Sequence, residues 1–368
     1  MFDSTTLSFR VYTSREQLTP DILKGIASDV APPLETLNTE PIEGWVGPGH
    51  LLDRDMSARN CIRGNRLLCQ YMVAERKVPR QLLNAHCRLA EIEEKRVRGL
   101  SFLSRSERQA IRRAIEEQMK PEMPPTLTGI EVVVDFETQR VYATAMTDKA
   151  IDKFVTRFKK ATDCTLEMVT PEKLALDLRQ LNAKDLESPS FVPDGAPGES
   201  VLAVGIGLDF NTWLMFMQET QDTIDCGDRS YATMFEGPFT FIVRESPDSE
   251  GAETAVVREG APQTAAEAKT AMLCGKKLDT AVWTLAWNSE QWRLRLDGQE
   301  FGIHKLRIPK TDETDPDAAF DDHMQQINFF VRAFLDIYAK FLDLRASRNW
   351  ERTCEAMRLW IRDREAKA

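Results

Sequence analysis

The stretch "CRLAEIEEKRVRGLSFLSRSERQAIRRAIEEQMKP", residues 87–121, is densely charged, rich in arginine and helical in its spacing. Pro79, just upstream, suits the opening of a helix that runs to about Val97, because proline's fixed φ is already helical and its missing N–H is not needed there. Ser104 followed by Glu107 reads as a capping box, in which each side chain satisfies the other's backbone N–H, so a second helix starts there. "KPEMPPTLTG" (120–129) ends it with three prolines. Before the pair stands a strand-like run, "NRLLCQYMVAERK" (65–77). After it come "IEVVVDF" (130–136) and "QRVYATA" (139–145), a hairpin by alternation, then the helix "DKAIDKFVTRFKKA" (148–161) and the strand "CTLEMVT" (164–170). Helices set among antiparallel strands in blocks give an α+β class: antiparallel sheets with long helical arms.

Outward from there, "TLSFRVYT" (6–13) alternates as a strand. "TPDILKGIASDV" (19–30) reads as a short helix with Thr19 as N-cap and Pro20 at its first position. "LESPSFVPDGAPGES" (186–200) is dense in proline, glycine and serine and predicts a linker at 186–199 between an N-terminal lobe, 1–185, and a C-terminal lobe, 200–368. In the second lobe "LDFNTWLMFMQET" reads as a buried helix. "PFTFIVRE" and "ETAVVRE" read as strands around an acidic loop, and "TAAEAKTAMLCG" as a helix with Gly275 past its end. "TAVWTLAW", "QWRLRLDG" and "EFGIHKLRIP" predict a three-strand meander, with Asp297-Gly298 as a hairpin turn. The last long helix, about Ala318 to Ser347, carries Met324, Ile327, Val331, Phe334, Leu335, Tyr338 and Leu342 at helical spacing, the stripe of a core or subunit interface.

The chain of 368 residues has 58 acidic side chains against 48 basic ones, a formal net charge of -10. Acidity on this scale argues against nucleic acid, but distribution outweighs the sum. Basic residues outnumber acids across 54–120, and a second cluster lies at Lys149, Lys153, Arg157, Lys159 and Lys160, whereas "KTDETDPDAAFDD" (310–322) is acidic. The seven cysteines are scattered and lack any CxxC pair, which points to a reducing compartment and away from disulfides and zinc. No apolar run reaches membrane-span length and the first residues lack a secretory pattern, so the expected location is cytoplasmic, with no membrane partner. No metal or other cofactor is expected.

One stretch suits catalysis. "VVVDFETQ" sets Asp135 and Glu137 at the end of an apolar strand, similar to the first motif of two-metal DEDD exonucleases. Such chemistry needs further converging acids, and no His-x-x-x-x-Asp or equivalent follows. Turn-forming acids explain the pair without catalysis. "AVGIGLDF" lacks the third glycine of a dinucleotide loop, and neither GKS/GKT nor G-x-S-x-G occurs. The basic helices remain. Arg105, Arg108 and Arg112, spaced i, i+3, i+7, share one face, and Arg88, Lys95 and Arg98 lie on the helix before. Leu89, Ile92, Leu100, Ile111 and Ile115 are expected on the opposite, packing faces. A solvated helix pair neutralised by Glu91, Glu93, Glu94, Glu107, Glu116 and Glu117 accounts for the same pattern. Arginine's excess over lysine favours phosphate recognition, because its planar fork donates twice.

The order of pieces resembles the recombination-associated RdgC family of bacterial DNA-binding proteins nearly end to end. The resemblance is carried by "FRVYTSREQLTPDILKGIAS", "GWVGPG", "LLCQYMVAERKVPRQLLNAHCRLAEIEEKRVRGL", "AAEAKTAMLCGKKLDTAVWTLAW" and "HKLRIPK" in collinear order. It implies a two-lobed, horseshoe-like subunit of a ring-shaped homodimer on double-stranded DNA, nucleoid-associated, without sequence preference and restraining RecA-promoted recombination. It supplies no nuclease site. A family arginine aligns with Arg98, and a dimer-contact aromatic aligns with Met123. A basic DNA-contacting stretch reads "REGAPQ" here and leaves mainly Arg258. The chain is also longer at its C-terminus than the enterobacterial type. The expected DNA contacts are therefore Arg88, Lys95, Arg98, Arg105, Arg108 and Arg112, with Lys153, Arg157 and Lys160 of the following helix and Arg258.

Overall fold

The computed structural model describes residues 2, 4–181, 186–193, 205–243, 253–258, 264–310, 313 and 315–363. They form an α+β fold built on antiparallel ladders, with an isolated parallel bridge between Val30 and Trp45. The chain divides into two compact units that interleave along the sequence. The larger comprises Met1–Thr13, Tyr142–Met146 and Glu167–Ala368; the smaller comprises Ser14–Val141 and Thr147–Leu166. This partition differs from the sequential one expected at 186–199. Strand Thr6–Ser14 pairs with Ile303–Arg307, so the first strand belongs to the sheet of the C-terminal half. Of the expected linker, residues 186–193 are described and 194–199 lie outside the described residues. Ser188 and Ser190 are buried.

In the larger unit the strand order is Thr254–Val257, Arg229–Ile242, Lys277–Trp287, Glu290–Asp297, Ile303–Arg307, Thr6–Ser14. The meander expected from "TAVWTLAW" to "HKLRIP" supplies the third to fifth strands of that row. Its tight turn lies at Asn288-Ser289, where Trp287 pairs Glu290 and Asn288 takes φ +54. Asp297-Gly298, expected to be the hairpin turn, opens a longer loop instead. The Asp297 carboxylate accepts from the Glu300 N–H and lies 3.2 Å from His304 Nε2. Helix Pro316–Arg345 buries Met324, Ile327, Val331, Phe334, Tyr338 and Leu342 as the stripe predicts, with Leu335 half-buried. Phe210 of helix Ile206–Thr220 meets Phe334, Tyr338 and Phe341 edge-on at 5.9, 5.0 and 5.5 Å. Gly207 of "GIG" brings the same helix against a different neighbour, the loop after strand Glu290–Asp297: a Cβ there would collide with the Gly298 carbonyl oxygen.

The smaller unit has strands Ile42–Val46, Arg66–Arg76 and Pro125–Asp135 side by side, with helices Ile22–Ser28 and Asp148–Thr162. Trp45 is its hub, within 5.7 Å of Tyr71 and 6.1 Å of Phe158, ring to ring. The Arg66–Arg76 and Pro125–Asp135 ladder runs without a break from Arg66 opposite Asp135 to Arg76 opposite Pro125. At its open end the chain leaves as helix Arg80–Arg98 and returns as helix Arg105–Met119. A helical hairpin about 28 Å long, at 1.5 Å per residue, thus extends a β-hairpin.

Candidate nucleic-acid interface

Local chemistry sets both ends of this hairpin. Gly99 ends the first helix at φ 64, a conformation that costs glycine least, and its N–H bonds back to the Lys95 carbonyl. Lys95, Arg96 and Arg98 occupy the last turn, where cations meet the negative end of the helix dipole. The capping box forms as read: the Glu107 N–H donates to Ser104 Oγ at 3.2 Å, and the Ser104 N–H donates to Glu107 Oε2 at 2.8 Å. These bonds to Ser104, with help from Arg98, hold the Glu107 carboxyl below its ordinary pKa.

The two helices meet over a narrow seam. Leu83, Cys87 and Leu103 are buried, and Ile111 and Ile115 are half-buried. Leu89, Ile92 and Leu100, expected to pack, are exposed. Leu89 and Ile92, one turn apart, form an open apolar stripe at 66% and 64% exposed; Val97 and Phe102, off that line, are 71% and 75% exposed. Two helices alone can cover only one side of each other, so a helix with apolar residues on two sides leaves one of them bare. The arginines are therefore not simply opposite the packing face. Arg112 lies beside the seam, donating to Asn84 Oδ1 at 2.8 Å.

The expected phosphate contacts fall into three groups. Arg88, Arg105 and Arg108 are exposed and make no ion pair among the described residues; Lys95 is half-buried and likewise without one. Arg113 is exposed and unpaired in the same way, a residue that the i, i+3, i+7 spacing passes over because it sits a quarter-turn off the stripe. Arg98 is engaged, with Glu94 at 2.5 Å and Glu107 at 3.0 Å. In helix Asp148–Thr162, Lys160 is exposed and unpaired among the described residues, while Lys153 lies 3.6 Å from Glu43. Arg157 is a structural residue: it donates to both Asp29 oxygens at 2.5 and 2.7 Å and to Glu43, and it is largely covered, so its fork is already occupied. Arg258 is exposed after strand Thr254–Val257 of the larger unit. Met123 is half-buried just beyond the ladder, its carbonyl accepting from Arg76, and the helical hairpin turns at 99–104.

Asp135 and Glu137 have the geometry of a turn. Asp135 Oδ1 accepts from the Glu137 and Thr138 N–H groups at 3.0 and 2.9 Å, and Oδ2 accepts from Arg66 Nε at 3.1 Å. Glu137 is exposed. Among the described residues no group of three or more His, Cys, Asp or Glu is placed to hold a metal ion. Burial pushes the Asp135 carboxyl up, but the Thr138 and Arg66 bonds outweigh it and leave the pKa below its ordinary value. A depressed carboxylate stabilises the fold above its unfolded pKa of about 4 and loses that contribution as pH falls through the folded value. Asp135→Asn is expected to cost about 1–3 kcal/mol at neutral pH. It should also flatten the acid limb of a stability–pH curve taken by urea denaturation. Equal acid sensitivity in both proteins would refute this role.

No known protein-family model and no curated protein matches the chain. Among the described residues no helix is long and apolar enough to cross a membrane.

Proposed function

We propose that this protein binds double-stranded DNA without sequence preference, as a homodimer that restrains RecA-promoted recombination at the nucleoid. The observation that supports it most is the group Arg88, Arg105, Arg108 and Arg113, exposed and without ion pairs among the described residues, on a helical hairpin of a chain whose net charge is -10. Acids stand on the same two helices, Glu91, Glu116 and Glu117 among them, yet among the described residues none lies within ion-pair distance of these four arginines. Such a surface offers forked donors to phosphate, and phosphate contacts carry no sequence information. The collinear resemblance noted above supports the finer picture, a ring of two horseshoe-like subunits around the duplex. Filter binding at low salt tests the reading. Duplexes of unrelated sequence should bind alike and stay intact with Mg²⁺ or Mn²⁺. Absence of binding would overturn it, and so would metal-dependent shortening that disappears in Asp135→Ala.

The apolar stripe of the first helix supports self-association, since a monomer rarely leaves such a patch open. A two-fold contact repeats one surface on both copies, so two stripes would cover each other. Met123 adds an adaptable contact at the base of the hairpin. Sedimentation at micromolar concentration should show a dimer, shifted toward monomer by Leu89→Gln with Ile92→Gln, and by Met123→Glu. A monomeric wild type sinks the dimer.

A further inference from the structure

In the larger unit a cavity of about 450 Å³ opens beside the C-terminal helix Trp350–Asp363. Its floor is apolar: Trp213, Phe216 and Met217 of helix Ile206–Thr220, with Leu344 of helix Pro316–Arg345. The floor is held in place by rings outside the cavity, Trp360 edge-on to Phe216 at 5.6 Å and Phe341 against Trp213 at 5.3 Å. The volume lies within the range of small-molecule pockets.

Two cations stand on its rim, Lys340 and Arg352, from two different helices. Neither makes an ion pair among the described residues, although helical spacing supplies both with acids. For Lys340 these are Asp336 and Asp343, one turn to either side. Asp336 is taken by Arg229 Nη1 at 2.8 Å and Tyr231 Oη at 2.6 Å, and Asp343 by Arg179 at 2.5 and 2.9 Å. For Arg352 the acid one turn along is Glu355, which pairs with Arg358 at 3.1 Å; Arg358 also takes Glu351. The fold thus commits every nearby helical acid elsewhere and leaves two positive charges over an apolar floor. One carboxylate shares the rim, Asp225, which accepts from Ser230 Oγ.

We propose that this cavity is a binding site for a small amphipathic organic anion. Its apolar or aromatic body lies on Phe216, Met217 and Leu344, and its carboxylate, sulfonate or phosphate lies between Lys340 and Arg352. Asp225 leaves room on its side for a hydrogen-bond donor of the same ligand and disfavours a second negative charge there. Neither the arginines of the helical hairpin nor the DNA-binding reading enters this assignment.

The probe is 1-anilinonaphthalene-8-sulfonate, an aromatic sulfonate whose fluorescence rises in apolar surroundings. The full-length protein should bind it saturably in the micromolar range. Lys340→Glu with Arg352→Glu should weaken that binding by about a hundredfold, about tenfold for each charge-assisted hydrogen bond removed. Both side chains are exposed, so the melting temperature and DNA affinity of the variant should match wild type. Ala356→Leu, which narrows the cavity without touching charge, should also reduce binding. The apolar stripe is the competing site for the dye. Leu89→Gln with Ile92→Gln should leave the cation-dependent binding unchanged. Dye binding that survives the double charge reversal, or that disappears with the stripe variant alone, overturns the assignment; so does the absence of saturable binding.

Discussion

Replacing Arg105, Arg108 and Arg112 together by glutamate is expected to flatten the plot of log DNA affinity against log salt by roughly two to three units. Each arginine that neutralises a phosphate releases counterions and contributes close to one unit of slope. Arg105 and Arg108 have no competing ion pair among the described residues, so both should count in full. Arg112 must leave Asn84, or share it, and accounts for the lower end of the range. Affinity at low salt should fall steeply, and equally for any sequence, because phosphate contacts carry no base information. The hairpin should stay folded. Its seam of Leu83, Cys87 and Leu103 and its Ser104–Glu107 cap are untouched, and acid in the first turn suits the helix dipole. Salt titrations of wild type and variant decide the matter. If affinity and slope stay at wild-type values, the helix is a solvated face and the DNA site must lie around Lys149–Lys160 or Arg258.

Asp209→Asn should be among the most destabilising single changes in the molecule. Asp209 is fully buried and serves two buried cations, Lys277 Nζ at 2.5 Å and Arg345 Nη1 at 3.3 Å. Ser188 Oγ donates to the same carboxylate at 2.6 Å. Burial, opposed by the pull of Asp209, pushes the Lys277 pKa down. Removing the one shared anion takes from Lys277 and Arg345 their common counter-charge in a dry interior, at a cost of about 3–5 kcal/mol. A whole domain holds about 5–15 kcal/mol. Lys277→Met should cost less, since Asp209 keeps Arg345. The network also ties residues 187–190 to the core: Lys277 donates to the Pro189 carbonyl, Arg345 to that of Glu187 and Arg358 to that of Ser190. Urea midpoints for the two variants give the comparison. Equal or reversed costs would show that Asp209 is not the hub.

Elements whose signals are local could be read from residue order. Pro79, the Ser104–Glu107 box and the stripe from Met324 to Leu342 each describe geometry within a turn or two of helix, and each element formed where those residues place it. Alternation located many of the strands for the same reason, since side chains reverse face at every residue, but strand Ile42–Val46, whose glycine and tryptophan suggest a turn, escaped it. Which charges are free depends on contacts between distant parts of the chain. Arg157 looked like any other cation of the Lys149–Lys160 cluster. Its fork is filled by Asp29, 128 positions away in the chain, and no short-range pattern reports such a partner. Lys340 and Arg352 show the reverse case, cations with acids at helical spacing that the fold has assigned to others. Leu89 and Ile92 carry the periodicity of a packed face, but periodicity marks that a side is apolar and not whether anything covers it. The first strand's place beside Ile303–Arg307 was equally beyond sequence reading. Pairing across nearly the whole chain depends on the sum of many weak contacts, and no single residue of either strand announces it.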